Sequence, residues 1–226
     1  MRRSRDDRVD GIKVDLHTHT YRSGDAGTTF DEYCSGSASM DLVAVTDHHD
    51  LFAGSVLQDQ YGLSVIVGEE INTGQGEVIG LYLSSVVPRG LGLVDTCRRI
   101  RHQGGLVYIP HPTDARRHGI GGGRLAGLCQ AGLVDIVEVG NSKAVTVDRE
   151  AQGIAHAFGL PVAASSDAHV GGAIGSSHTV IDRLPSGPDD LLGLLGDGRC
   201  CHQFFDPVRD LAKTVVTPGT SATSPV

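Results

Sequence analysis

Short apolar runs alternate with longer stretches of helix-compatible sequence along most of the chain. The runs are almost continuously apolar, which is typical of strands that are covered on both faces. We therefore predict strands at residues 12–16, 42–46, 63–67, 78–83, 106–109, 134–139, 160–164 and 178–181. The same pattern predicts helices near residues 29–38, 50–60, 92–103, 122–131, 143–158 and 188–197.

Strands that alternate with helices predict a parallel sheet whose strands are joined by crossover helices. About seven such units in roughly 200 residues favour one compact α/β barrel over several domains. We predict this domain over residues 12–212, a flexible N-terminal arm over 1–11, and a disordered, proline-containing tail over 213–226. In such barrels the functional side chains lie at the carboxyl ends of the strands.

The composition argues against some classes of function. The chain has 226 residues, with 27 acidic and 19 basic side chains and a formal net charge of −8. This balance disfavours a nucleic-acid partner, because binding to a phosphate backbone requires a basic surface. No apolar run approaches the roughly 20 residues that span a bilayer, and residues 1–10 do not resemble a signal peptide. The 5 cysteines lack metal-finger spacing and are most simply read as reduced thiols. Together these features predict a cytoplasmic protein without a membrane partner.

Polar side chains with metal-binding chemistry follow most of the predicted strands. His17 and His19 end the first strand, and residues two apart on a strand point to one face, so both imidazoles can reach one ion. Asp167 and His169 repeat that spacing after a later strand. The other candidates are Asp25, His48, Glu69 or Glu70, Glu77 and His111. Because the carboxyl ends of barrel strands meet at one edge, these residues predict a metal site there.

The donor types in this set narrow the choice of metal. Imidazoles and carboxylates without clustered cysteine suit Zn²⁺, Mn²⁺ or Fe²⁺ and argue against an iron–sulfur cluster. The candidates are too many for one ion, so we predict two or three ions that share a carboxylate. His111 lies between Pro110 and Pro112, which restrict the backbone around it and favour a ligand position. Strand parity leaves open whether Glu69 or Glu70 is the shared carboxylate.

Taken together, these residues resemble the motifs of the PHP (polymerase and histidinol phosphatase) family over roughly residues 12–185. The matching motifs are D-x-H-x-H at 15–19, a loop aspartate at Asp25, T-D-H at 46–48, G-x-E at 68–70, H-P at 111–112, E-V-x-N at 138–141 and S-D-A-H at 166–169. The resemblance implies a distorted, TIM-like (β/α)7 barrel that hydrolyses phosphate esters with two or three divalent metal ions.

The resemblance also implies which side chains hold each ion, and its G-x-E pattern selects Glu70 as the shared carboxylate. The implied sets are His17, His19, Glu70 and Asp167 for one ion, Glu70 and His111 for a second, and Asp25, His48 and His169 for a third. Many family members carry a histidine where this chain has Glu77. That difference gives the second ion either a carboxylate ligand or lower occupancy, and it favours a harder metal such as Mn²⁺.

The function that this resemblance implies is hydrolysis of a phosphate monoester of a small molecule, such as a sugar, amino-alcohol or nucleotide phosphate. A hydroxide that bridges two ions would attack phosphorus in line, with Glu70 and Asp167 as the catalytic carboxylates. Arg116 and Arg117 follow the H-P motif closely, where guanidinium groups could bind the phosphate in a bidentate manner. We also expect Asn141 to contact the substrate.

Three other functions use similar residues. One is a phosphodiesterase or exonuclease that acts on a nucleotide or short oligonucleotide, another is a C–N amidohydrolase, and the third is metal binding without catalysis. Many amidohydrolases bridge their metals with a carboxylated lysine at a strand end. Lys13 opens a predicted strand, Lys143 opens a predicted helix and Lys213 lies in the tail. The carboxylate at Glu70 therefore favours phosphoesterase chemistry.

Overall fold

The computed structural model describes residues 11–206 of the chain. The strands are β1 (Ile12–Thr18), β2 (Leu42–Val45), β3 (Val65–Thr73), β4 (Gly76–Leu81), β5 (Leu106–Ile109), β6 (Ile136–Asn141), β7 (Val162–Ser165), β8 (His178–Ile181) and β9 (Arg199–Cys201). The helices are α1 (Phe30–Gly36), α2 (Phe52–Asp59), α3 (Leu93–His102), α4 (Gly122–Gln130), α5 (Arg149–Ala157) and α6 (Pro188–Gly196). None of the helices between residues 11 and 206 is long and apolar enough to cross a membrane. The predicted tail and residues 1–10 of the predicted arm lie outside the described residues.

The strands hydrogen-bond into one mixed sheet in the order β7-β6-β5-β4-β3-β2-β1-β8-β9. The β7 edge curves round until the residues after it reach the end of β1. There the Asp167 N–H donates to the His17 carbonyl at 2.8 Å, and the His19 N–H donates to the Ala168 carbonyl at 2.9 Å. The result is a nearly closed barrel-shaped sheet in a single α/β body, which confirms the predicted fold class.

Two parts of the sheet are antiparallel, so the prediction of uniformly parallel strands is wrong there. β3 and β4 form a hairpin that pairs Thr73 with Gly76, and β4 is also antiparallel to β5. Only residues 74 and 75 separate β3 from β4, whereas a parallel crossover needs about a dozen residues. The second antiparallel part is β8, which pairs with β1 and with β9, a strand that the apolar pattern did not predict.

Helix α5 begins at Arg149, later than the predicted start at residue 143. The Asp148 side chain accepts a hydrogen bond from the Ala151 N–H at 3.0 Å and so caps the helix. The same carboxylate accepts a hydrogen bond from the Thr113 hydroxyl at 2.7 Å. Residues 142–148 consequently form a loop at the carboxyl end of β6, and hydrogen bonds join this loop to the one after β5.

An apolar cluster formed by strand residues and by leucines of α6 makes up one layer of the core. It includes Leu16 of β1, Tyr108 of β5 and Leu191 of α6. Helices α3, α4 and α5 pack on the sheet in a second apolar cluster, and α1 and α2 pack in a third. Burying each large aliphatic side chain stabilises the fold by about 1.5–3 kcal/mol. The Tyr108 hydroxyl extends from the first layer and donates to Glu138 at 3.0 Å, which connects the core to the polar edge.

Candidate metal centre

The residues predicted as metal ligands come from separate strands and meet at the carboxyl edge of the barrel. β1 carries His17, β3 carries Glu70, and His111 and Asp167 follow β5 and β7. Four sets of three side chains each place one ligand atom within 4.8 Å of the others. These sets are His17, Glu70 and His111; His17, His19 and Asp167; His19, His48 and Glu70; and His19, Asp25 and His169. The four overlapping sets contain every predicted ligand except Glu77.

The two carboxylate oxygens of Glu70 face different imidazoles. Oε2 lies 3.2 Å from Nε2 of both His17 and His19, and 3.6 Å from Nε2 of His48. Oε1 points the other way and lies 3.2 Å from Nε2 of His111. A buried carboxylate shared in this manner between two groups of imidazoles is suited to bridge two metal ions.

Glu69 points away from this cluster, whereas Glu70 points into it, as expected for neighbouring residues of one strand. The Glu69 Oε2 accepts a hydrogen bond from the Val87 N–H at 2.8 Å, and its Oε1 lies 3.6 Å from His49 Nδ1. Burial raises the pKa of Glu69 to about 7. The His49 Nε2 lies 3.0 Å from the Asn72 side-chain oxygen. Glu69 and His49 therefore connect segments beside the site and belong to none of the four ligand sets.

Asp167 lies between the imidazoles of His17 and His19 and the more exposed side chains of His169 and Asp25, which form the mouth of the cluster. Its Oδ1 lies 3.6 Å from His17 Nε2 and 3.5 Å from His19 Nε2. The same oxygen lies 3.4 Å from Nδ1 of His169, and Nε2 of His169 lies 3.2 Å from Asp25 Oδ2. Asp167 has a φ of 52°, a backbone conformation that non-glycine residues adopt mainly where surrounding structure holds them, often at functional sites.

Glu138 supports the ligands without belonging to any of the four sets. Its Oε1 lies 3.2 Å from Nδ1 of His17 and accepts the hydrogen bond from Tyr108. Its Oε2 accepts hydrogen bonds from the His111 N–H at 2.6 Å and from the Asn141 amide at 2.9 Å. A carboxylate on the second nitrogen of a ligating imidazole fixes its tautomer and orients the ring. The sequence indicated Glu138 only as part of a motif and gave it no role in the site.

We expect the Glu138→Gln substitution to weaken metal binding about 10- to 100-fold. Glutamine keeps the shape of the side chain but removes the negative charge that orients the His17 ring. Calorimetric titration with Mn²⁺ measures this loss, and Glu150→Gln, at an exposed position of α5, provides a matched control. Equal affinities for the wild type and Glu138→Gln would contradict the positioning role of Glu138.

Glu77 lies beside the cluster. Its Oε2 is 3.7 Å from Nε2 of His111, and its Oε1 accepts a hydrogen bond from the Asn72 amide. Burial, with a smaller effect from the charge of Glu70, raises the pKa of Glu77. Glu77 is therefore close enough to His111 to act as a further carboxylate ligand beside it.

Arg117 and Lys143 place positive charge at the mouth of the cluster. The Arg117 Nη1 donates to Asp167 Oδ2 at 3.2 Å. The Lys143 Nζ donates to Asp167 Oδ1 at 3.1 Å and lies 2.9 Å from His169 Nδ1. The interpretation that placed Lys143 at a helix start, away from any strand end, is wrong, because the loop at 142–148 extends from β6. Its position two residues after the E-V-x-N motif was the available signal.

The other two predicted substrate contacts lie in different environments. The Arg116 side chain is 86% exposed and pairs with Asp114 at 3.3 Å, so it lies outside the ligand cluster. The Asn141 side chain is buried, and its amide donates to Glu138 at 2.9 Å and to Asp167 at 3.4 Å. In this structure Asn141 orients these two carboxylates.

Attraction between imidazoles and carboxylates dominates the electrostatics of the cluster. Burial disfavours the charged form of His17, but Glu70 and Asp167 outweigh it and hold the pKa of His17 well above its usual range. The same balance raises the pKa of His19 to about 9. Burial also opposes ionisation of Glu70 and Asp167, yet His17 and its neighbours hold the pKa of both carboxyls well below the usual range. Without a metal, these side chains form buried imidazolium–carboxylate pairs near pH 7.

The donor set fits divalent metal ions. The Nε2 atoms of His17 and His19 lie 3.1 Å apart and face the same oxygen of Glu70, so their lone pairs can converge on one point. The second ring nitrogen of each histidine is occupied, by Glu138 for His17 and by the Ser23 hydroxyl at 2.8 Å for His19. Such partners are usual for ligating histidines. The buried His, Glu and Asp clusters are therefore consistent with multiple metal sites.

Two proteins of Methanocaldococcus jannaschii, both described as uncharacterized, are similar to this chain. MJ0417 is 30% identical over 196 residues, which cover 80% of this chain and 75% of that protein. MJ1587 is 35% identical over 117 residues, which cover 45% of this chain and 68% of that protein. Residues 148–200 also match the family described as PHP-associated.

Solved structures with low sequence identity share the fold. A two-domain protein from Bacteroides vulgatus, described as containing a predicted PHP-like metal-dependent phosphoesterase, superposes with a TM-score of 0.72 at 17% identity; 90% of this chain and 69% of that one are covered. The lesion-specific endonuclease PfuEndoQ from Pyrococcus furiosus gives a TM-score of 0.65 at 13% identity, over 92% of this chain and 67% of that one. The chain therefore belongs to the same family as MJ0417, its residues 148–200 form a PHP-associated segment, and its barrel of converging histidines and carboxylates has the fold of structures described as PHP-like metal-dependent phosphoesterases.

Proposed function

We propose that this protein is a metal-dependent phosphatase that releases phosphate from a monoester of a small molecule. The observation that carries the proposal is the placement of Glu70, whose oxygens face His17 and His19 on one side and His111 on the other. Carboxylates shared in this way hold the paired ions of many phosphatases. The similarity to a protein described as a PHP-like metal-dependent phosphoesterase supports the same chemistry.

We propose that the site binds two or three divalent ions of Mn²⁺, Zn²⁺ or Fe²⁺. The residues that would hold them are His17, His19, Glu70 and Asp167 for the first, Glu70, Glu77 and His111 for the second, and Asp25, His48 and His169 for the third. When bound, such ions supply a nucleophilic hydroxide at neutral pH and neutralise charge on the phosphoryl oxygens. Glu138 and Asn141 keep the ligand side chains in position.

Arg117 and Lys143 are placed to bind the phosphate. A cavity of about 130 Å³ opens over the cluster, and both cations line it together with Asp167 and Glu70. Guanidinium binds a phosphate through two parallel hydrogen bonds, whereas ammonium acts as a compact point charge. Fixed cations on two sides of a phosphoryl group stabilise the charge that develops in the transition state. We therefore propose that both side chains donate to phosphoryl oxygens.

The Lys143→Met variant is expected to raise KM for a phosphomonoester about tenfold or more, because a charged hydrogen bond to substrate is lost. Lys143→Arg should restore most of the affinity, since it restores the charge. Lys13→Met is the matched control, because Lys13 opens β1 and lies at the opposite end of that strand from the site. Steady-state kinetics at saturating Mn²⁺ measure the effect, and an unchanged KM in Lys143→Met would rule out this role.

The alternative functions have less support from the site. A nuclease would bind a polyanion, yet the chain carries a net charge of −8. An amidohydrolase of the carboxylated-lysine type would need its lysine between the imidazoles, where Glu70 lies; Lys143 instead contacts Asp167 and His169. We propose a small phosphorylated molecule as the partner, without nucleic acid or membrane, and a cytoplasmic location stays a prediction.

The experiment that tests the proposed function is an assay of Mn²⁺-loaded protein on a panel of phosphomonoesters, beside one chromogenic phosphodiester. Release of phosphate from monoesters that stops on chelation supports the proposal. Cleavage of the diester alone would replace it with a phosphodiesterase. No cleavage of either class by protein that holds its metal would overturn phosphoesterase activity, and amide substrates would be tested next.

A further inference from the structure

A larger cavity adjoins the ligand cluster, between the loops that follow β5 and β6. Its volume is about 500 Å³, within the range of about 300–1,000 Å³ that is usual for small-molecule sites. His111, Glu138 and Asn141 of the site form part of its wall. Arg117 and His111 line both this cavity and the smaller one over the cluster. A molecule whose phosphate lies over the cluster can therefore extend past Arg117 into the larger cavity.

Hydrogen bonds of Asp148 and Asn141 fix parts of the wall of this cavity. Asp148, which caps α5, accepts the hydrogen bond from the Thr113 hydroxyl. At the start of the loop after β6, the Lys143 N–H donates to the Asn141 side-chain oxygen at 3.0 Å. These hydrogen bonds hold Thr113, Asn141 and Asp148 of the wall in place before a ligand binds, which lowers the cost of ordering them.

The lining is mostly polar and balanced in charge, and Val139, Ala144, Val145 and Val147 are its apolar members. Three carboxylates and three guanidinium groups line the cavity, so their formal charges cancel, and Thr113 and Thr146 add hydroxyl groups. Among the lining residues, all within the described part of the chain, the only ring is the imidazole of His111, which faces Glu70 in the ligand cluster, and there is no Phe, Tyr or Trp on which a nucleobase could stack. The cavity therefore favours a ligand that is neutral, lacks a large flat ring and can exchange many hydrogen bonds.

We propose that this cavity binds the leaving group of the substrate and selects a neutral, polyhydroxylated alcohol, as in a sugar or polyol phosphate. This inference rests on the proposed phosphatase function. Hydroxyl groups can both donate to the carboxylates and accept from the guanidinium groups, so both kinds of charged group keep a hydrogen-bond partner when the ligand displaces water. A nucleoside would find only the His111 ring, which is engaged with Glu70, as a stacking surface, and an amino-alcohol would bring a net charge into a lining that is already balanced.

The test fills the cavity without touching the ligand cluster. Ala144 is half-buried on the cavity wall, and Ala144→Phe would place a ring in the space for the leaving group. Ala157→Phe, at an exposed position of α5, is the matched control. With Mn²⁺-loaded protein, Ala144→Phe should raise KM for the preferred sugar phosphate about tenfold or more. Its KM for methyl phosphate and its inhibition by inorganic phosphate should match the wild type.

Ala144→Leu, a smaller replacement, should raise KM for the sugar phosphate less than Ala144→Phe does, which provides a second measurement if the phenylalanine variant is poorly folded. Two results would overturn the cavity assignment while leaving a phosphatase in place. One is equal KM values for the sugar phosphate in Ala144→Phe, Ala144→Leu and Ala157→Phe. The other is a wild-type preference for nucleoside monophosphates over sugar phosphates. If the wild type hydrolyses no monoester, the proposed function and this inference both fail.

Discussion

Metal-dependent phosphate release should fall at least about a thousandfold in the Glu70→Gln variant. The carboxylate presents one oxygen to His17 and His19 and the other to His111. An amide offers a single acceptor oxygen and no charge, so it cannot serve both sides of the cluster. We therefore expect kcat/KM to collapse and the stoichiometry of bound Mn²⁺ to decrease, as measured by steady-state kinetics and by metal analysis of the purified variant.

The neighbouring Glu69 provides the control for this substitution. Glu69 is equally buried, but its carboxylate accepts a hydrogen bond from the Val87 N–H and points away from the cluster. The amide oxygen of Glu69→Gln can still accept that hydrogen bond, so activity should stay within about threefold of the wild type. Retention of more than about a tenth of wild-type activity in Glu70→Gln, or an equal loss in Glu69→Gln, would contradict the assignment of Glu70 as the shared carboxylate.

The convergence of the candidate ligands could be predicted because strand ends in a barrel share one geometry. His17 and His19 lie two residues apart at the end of β1, which brings both rings to the same side whatever follows in the chain. Glu77 reaches the same edge although β4 does not run parallel to β3. The first residues of an antiparallel strand lie beside the last residues of its partner, so Glu77 at the start of β4 lies opposite Asn72 near the end of β3.

Other features of the site depend on contacts that a local pattern does not contain. The start of α5 is set by Asp148, whose hydrogen bond to Thr113 comes from a distant loop. Without that contact, the helix-compatible stretch from residue 143 gave no reason to place Lys143 in a loop at the site. Glu138 likewise acquires its role only because the barrel places His17 beside it. Sequence patterns thus indicated which residues reach the carboxyl edge of the barrel. The hydrogen bonds that hold those residues in place could be identified only from the folded structure.

Binding of a divalent metal at pH 7 is expected to release about two protons and to strengthen as the pH rises toward 9. The carboxylates around His17 and His19 raise the pKa of His17 well above its usual range and the pKa of His19 to about 9. Both imidazoles are therefore protonated at pH 7 in the metal-free protein, and each must lose its proton to become a ligand. Glu70 and Asp167 have lowered pKa values, so they are already ionised and release no proton.

Calorimetric titration with Mn²⁺ in buffers of different ionisation enthalpy counts the protons released, and its repetition between pH 6.5 and 9 gives the affinity. For each proton displaced, the apparent affinity should rise about tenfold per pH unit until the pH reaches the pKa of that imidazole. His19→Asn should release about one proton fewer, because the side chain that replaces the imidazole does not titrate. His102→Asn, at an exposed position of α3, should match the wild type. A binding enthalpy that does not depend on the buffer would mean that His17 and His19 are neutral before the metal binds, and that the surrounding carboxylates do not hold protons on them.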